Sequence, residues 1–165
     1  MVYLVRHAHA GSKKNWQGPD QARPLSAQGR KEALGLTEQL GDRPLGRLLS
    51  SPAERCLQTV EPLADRLGHP VETSEALGVD GTGPGVLELL TSPALADAVL
   101  CTHGELIGEL FRRLRQQGAP IHPRAGWPKG STWRLDIAAG AVTGATYLPP
   151  LATSDPADRL PTPTG

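Results

Sequence analysis

The sequence predicts an α/β fold: a three-layer α/β/α sandwich with a mostly parallel central sheet and a C-terminal hairpin. Three observations carry this. Short apolar runs alternate with longer segments of helical periodicity, the strand-to-helix junctions carry helix-start residues, and the last two strand-like runs are joined by a tight turn. At 165 residues the chain can bury one good core but not two ordinary ones. Residues 1–148 therefore read as one domain, and 149–165, dominated by Pro, Thr and Asp without apolar periodicity, as a disordered tail.

The elements follow in order. Val2-Tyr3-Leu4-Val5 is too short for a helix and rich in β-formers, so it is a buried strand. The polar loop 8–24 is long enough to suggest function. Ser26 opens a helix over 27–40, with Ala33, Leu36 and Leu40 at helical spacing, and Gly41 and Pro44 stop it. A strand over 45–50 leads into Ser51-Pro52-Ala53-Glu54, which reads as a capping box with proline at the first helical position of a helix reaching Leu67. A short strand at 70–73 and a glycine-rich loop at 77–85 precede a modest helix over 86–90 and a strand over 98–101. Thr102-His103-Gly104-Glu105 reads as a second capping box, opening a helix that reaches Gln117. After the proline-bearing loop 118–129, residues 131–137 and 141–147 form the hairpin.

Lys+Arg and Asp+Glu both number 17, so no global field favours a nucleic-acid polymer or an anionic membrane. Locally, Lys13, Lys14, Arg23, Arg30 and Lys31 are opposed chiefly by Asp20 and Glu32, which suits a small anionic ligand. Cys56 and Cys101 fall on predicted core elements and read as reduced thiols, which points to a cytoplasmic location. No stretch approaches the ~18 apolar residues of a membrane span. The oligomeric state is left open.

The chemistry collects at three strand-to-helix turns. Arg6-His7 follows the first strand, Arg55 lies in the first helical turn after the second, and His103 follows the fourth. In a parallel sheet these turns share one edge, where two helix N-termini also direct their free N–H groups. Two guanidiniums and two imidazoles there make an anion trap, and Arg suits phosphate because its fork grips two oxygens. His7 is the expected nucleophile, kept neutral by adjacent positive charge, and His103 the expected stabiliser of a phosphoryl oxygen. Phosphoryl transfer to His7 and hydrolysis of the phosphohistidine would need no metal or other cofactor, since the arginines supply the charge.

Leu4-Val5-Arg6-His7-Ala8, Arg23-Pro24-Leu25-Ser26-Ala27-Gln28-Gly29, the segment Ser50 to Thr59 and Thr102-His103-Gly104 together resemble the histidine phosphatase (phosphoglycerate-mutase-like) superfamily. The resemblance runs from Val2 to about Tyr147. It implies that Arg6, His7, Arg55 and His103 form the phosphate pocket, with His7 phosphorylated. The short length and Arg23-Pro24-Leu25 are similar to small phosphohistidine phosphatases of the SixA type. Ser12-Lys13 and Lys129-Gly130-Ser131 resemble the phosphatase domain that follows a Nudix domain in some actinobacterial proteins.

One departure bears on substrate. Relatives acting on alkyl phosphates usually place a proton-donating glutamate two residues after a leucine in the loop following the third strand; here Leu77 is followed by Gly78 and Val79. Asp80 and Glu75 are the acids nearby. Without an acid, good leaving groups are favoured: an imidazole with pKa about 6.5, or a phosphate with second pKa about 6. The expected ligand is thus a phosphorylated small molecule such as a nucleoside diphosphate, or a phosphohistidine protein. The alternatives are a general phosphomonoesterase using Asp80 or Glu75, a phospho-ligand-binding pseudo-phosphatase, and a metallohydrolase built on His7 and His9. Ser12, Lys13, Arg23 and Lys129 are candidate substrate contacts, with Trp16 or Trp127 available to stack on a base, and the Gly104 N–H is expected to face the phosphate. His69 reads as a helix-end residue, His122 as a loop residue, and Gly81, Gly83 and Gly85 as flexible loop.

Overall fold

A computed structural model describes residues 1–121 and 126–151. Its elements are β1 (Val2–Arg6), α1 (Ala27–Leu40), β2 (Leu48–Ser50), α2 (Glu54–Leu67), β3 (Val71–Thr73), α3 (Gly83–Thr91), β4 (Val99–Thr102), α4 (Gly104–Gln116), β5 (Thr132–Ala138) and β6 (Ala141–Leu148). They build one six-stranded sheet in the order β3-β2-β4-β1-β5-β6. The β3-β2-β4-β1 half is parallel, and the hairpin adds β5 antiparallel to β1 and β6 antiparallel to β5.

Side-chain alternation divides the core between the two faces. Val2 and Leu4 of β1 and Leu100 of β4 pack with α3 and α4, around Val86, Leu90, Ile107, Leu110 and Phe111. Tyr3, Val5, Val99 and Cys101 pack with α1 and α2, around Leu36, Leu40, Val60 and Leu63. Cys56 and Cys101 are buried free thiols in this second layer. Among the described residues no helix is long and apolar enough to cross a membrane.

The structure corrects several local readings. Ser26 caps α1 as expected, its Oγ accepting from Gly29 N at 3.1 Å. Neither predicted capping box forms: Ala53 is the N-cap of α2 and His103 that of α4, without side-chain caps. The hydroxyls are committed elsewhere. Ser51 Oγ accepts from Ala53 N and bonds the His103 ring, while Thr102 Oγ1 donates to the Leu77 carbonyl. Gly83 and Gly85 belong to the first turn of α3, because Thr82 Oγ1 accepts from Gly85 N and Pro84 starts the helix. β2 begins at Leu48 and not Leu45, since the Gly46 N–H is drawn to the Asp97 carbonyl. Residues 149–151 run beside α1, where Gln39 Nε2 donates to the Pro149 carbonyl. Residues 152–165, and with them most of the proposed tail, lie outside the described residues, as does His122.

Candidate active site

Strand register brings the two histidines together. Arg6 of β1 pairs with Thr102 of β4, so His7 and His103 are the next residues past one paired step. The ladder continues beyond it: His7 N donates to the Thr102 carbonyl and Ser51 N to the Cys101 carbonyl, each at 3.0 Å. The imidazoles meet edge to face, with centroids 5.4 Å apart. Both are buried, at 6 % and 3 % exposure.

His7 Nδ1 lies 2.8 Å from its neighbour's carbonyl, Ala8 O. A carbonyl only accepts, so Nδ1 carries the proton and Nε2 carries the lone pair. The Ala8 backbone is held in turn by its N–H donating to Thr59 Oγ1 of α2. Burial lowers the His7 pKa to about 3; the Ala8 hydrogen bond opposes this, and the charges of His103, Arg55 and Arg6 reinforce it. The ring is therefore neutral at physiological pH. His103 is fixed from both sides, with Nε2 2.9 Å from Ser51 Oγ and Nδ1 3.4 Å from Arg55 Nη2.

Both arginines are braced. Arg6 Nη1 donates to the Trp127 carbonyl at 2.9 Å. Arg55, 4 % exposed, donates through Nη1 to the Asp20 carbonyl and through Nη2 to Asp20 Oδ2. The Nε atoms of Arg6 and Arg55 are buried without a hydrogen-bond partner. Orphaned charged donors of this kind are costly unless an acceptor arrives, which is what a phosphoryl oxygen provides.

These groups line a cavity of about 380 Å³. Lys13, Arg23 and Lys129 join Arg6 and Arg55 in its wall, opposed by the carboxylates of Asp20 and Glu105. Lys129 is carried there by a turn whose Gly130 N–H bonds the Arg6 and His7 carbonyls. Val79 lies on the rim, 63 % exposed, and also lines an adjoining cavity of about 140 Å³ that holds Glu75 and Asp80. Among the described residues, a larger cavity of about 660 Å³ between α3, the end of α4 and the β5–β6 turn has no imidazole or thiol in its wall.

Other expected contacts are not in the cavity wall. Ser12 is exposed and does not line the cavity. Trp127 packs on Phe111, ring centroids 5.8 Å apart, and Trp16 Nε1 donates to the Pro19 carbonyl, so neither ring lines the cavity to receive a base. His9 is not in the cavity wall, and its Nδ1 is 2.6 Å from Ser26 Oγ. Gly29 presses on the same loop, since a Cβ there would stand 1.9 Å from the His9 carbonyl. Gly104 abuts Arg6, and a Cβ would meet Arg6 Cζ at 2.7 Å and Nε at 2.9 Å. Sequence reasoning missed Asp20, Glu105 and Ser51. The usable signals were an acid three residues before Arg23, an acid in the first turn after His103, and a hydroxyl four residues before Arg55.

The sequence model of branch 1 of the histidine phosphatase superfamily matches residues 2–78 of the chain. Among individual relatives, it is 36% identical over 156 residues to an 8-oxo-(d)GTP phosphatase of Mycolicibacterium smegmatis, covering 90% of this chain and 48% of that one. The chain thus spans about half the length of this curated relative. A solved structure of the protein histidine phosphatase SixA with tungstate superposes with a TM-score of 0.66 at 23% identity, over 92% of this chain and 96% of that one. A mycobacterial glucosyl-3-phosphoglycerate phosphatase gives 0.60 at 19% identity, over 93% and 98%. At those identities the two structures share the fold.

Proposed function

We propose that the chain is a phosphatase that works through a phosphohistidine on His7. The observation that carries this is the His7 ring itself: neutral, proton held on Nδ1 by Ala8, and Nε2 left as the basic atom in a cavity walled by arginines. Nε2 attacks phosphorus as the bond to the leaving group breaks, and the electron pair departs with that group. Arg6, Arg55 and His103 hold the phosphoryl oxygens as charge spreads over them. Water then attacks phosphorus, the P–Nε2 bond breaks, and phosphate leaves.

The substrate fits a small phosphoanhydride such as a nucleoside diphosphate. Lys13, Arg23 and Lys129 extend the cationic wall beyond the four-residue pocket, giving a second phosphate somewhere to rest. The name of the mycobacterial relative, a nucleotide phosphatase, supports the same class. Phosphohistidine on a protein is the other substrate with a good leaving group, its imidazole. Val79 offers no proton at the rim, and Asp20 cannot: burial pushes its carboxyl up, but the Arg23 hydrogen bond and the charges of Arg55, Arg23 and Lys13 prevail and hold it below the usual range. Glu105 gives a phosphomonoesterase reading one specific support, since it lines the cavity whereas Glu75 and Asp80 line the adjoining one.

Rates on a nucleoside diphosphate, a phosphohistidine peptide and a sugar phosphate decide this. Lacking acid assistance, the sugar phosphate should be slower by ~10²–10⁴-fold. Equal rates on all three, falling selectively for the sugar phosphate in Glu105→Gln, would establish the phosphomonoesterase. No turnover of any would leave only phospho-ligand binding. A second expectation concerns Gly104→Ala. The added methyl displaces the Arg6 guanidinium, so kcat/KM should fall on the order of 10²-fold while thermal unfolding barely shifts.

A further inference from the structure

We propose that Asp20 is a positioning residue for Arg55, holding one edge of the guanidinium so that the other is presented to the transferring phosphoryl group. The proposal rests on the phosphatase reading of this cavity.

A guanidinium has two edges that can grip an oxyanion: the end, made by Nη1 and Nη2, and the side, made by Nε and the second hydrogen of Nη2. Asp20 takes the end. Its backbone carbonyl accepts from Nη1 at 2.8 Å and its Oδ2 from Nη2 at 3.1 Å, so one residue clamps the fork with both main chain and side chain. The side edge stays open. Nη2 leans toward His103 Nδ1 at 3.4 Å, and Nε is buried with no partner. An acceptor entering between Arg55 and His103 completes both.

The clamp is itself anchored. Asp20 Oδ1 accepts from Arg23 Nε at 3.0 Å, and Arg23 Nη1 donates to the Ala10 carbonyl at 2.8 Å. Loop 8–24 is thereby tied at two points, and α2 is tied to it through Arg55. The single helical turn Asp20–Ala22 fixes the carbonyl and the carboxylate of Asp20 in one orientation. A rigid clamp matters because Arg55, nearly fully buried, has little water to hold its guanidinium in one rotation. Without Asp20 the ring of donors around the phosphate would keep its charge and lose its aim.

The test is a double-mutant cycle with a nucleoside diphosphate as substrate and inorganic phosphate and orthovanadate as inhibitors. Asp20→Ala should lower kcat roughly tenfold with little change in KM, because the lost aim is felt most in the transition state. Vanadate, which mimics that state, should weaken by roughly tenfold more than phosphate does. Asp20→Asn, which keeps the backbone acceptor and one side-chain oxygen, should recover part of the loss. In an Arg55→Lys background, Asp20→Ala should cost less than about twofold, since its effect passes through the guanidinium. Equal losses in both backgrounds would overturn the proposal. So would a fall in KM at unchanged kcat, which would make Asp20 a competitor for the substrate's place. Failure of the phosphatase reading itself shows separately, as turnover surviving in His7→Ala.

Discussion

His7→Ala is expected to lose at least ~10⁴-fold in kcat, because removing a nucleophile removes the covalent route entirely and leaves only binding and charge stabilisation. A phosphoenzyme trapped from the wild-type protein by rapid quench should be acid-labile and base-stable, as a phosphoramidate is, and should be absent from the variant. Labelling that persists in His7→Ala would move the acceptor to another residue, with His103 the first to examine, 5.4 Å away. The pH profile carries the same signature. An ordinary histidine would protonate near 6.5, yet burial and neighbouring charge bring His7 to about 3. A lowered pKa favours the neutral form, so the nucleophile stays competent as pH falls through 6.5. The part of the acid limb of kcat/KM that belongs to His7 lies near pH 3.

Arg55→Ala should be the next most damaging change, lowering kcat by ~10³-fold. It removes the side-edge donors from the phosphoryl group, the neighbour of His103 Nδ1, and the counter-charge to Asp20. Arg55→Lys should recover little. An ammonium is a point charge without a fork, so it cannot hold the Asp20 carboxylate and carbonyl while also meeting a phosphoryl oxygen. Steady-state kinetics of both variants checks this, and a lysine variant near wild-type activity would mean that charge alone suffices.

Much of this molecule is legible in its residues. Val2-Tyr3-Leu4-Val5 could only be a buried strand, and the helix around Leu36 declares its spacing. Given parallel strands, the turns bearing His7, Arg55 and His103 had to share an edge, and they do. The failures at the site share one cause. Ser51 and Thr102 have the local pattern of helix caps, but each hydroxyl finds a partner distant in sequence, His103 or Leu77. Asp20 went unread for the same reason, since nothing in loop 8–24 says that its acid will face an arginine on α2. Trp127 reads as available for stacking because an aromatic in a loop gives no sign that Phe111 will claim it.

The β1–β4 pairing has a consequence for how the molecule comes into being. Arg6 and Thr102 are neighbours in the sheet but lie far apart along the chain, so their contact closes a long loop and is slow to form on entropic grounds. The helix pairs α1–α2 and α3–α4 need no such closure, and neither pair carries more than one of the four pocket residues. A nascent or partly refolded chain can hold both helical layers and still lack any place where a phosphoryl group could be received. Reactivity is thereby withheld until the sheet that joins those layers is complete.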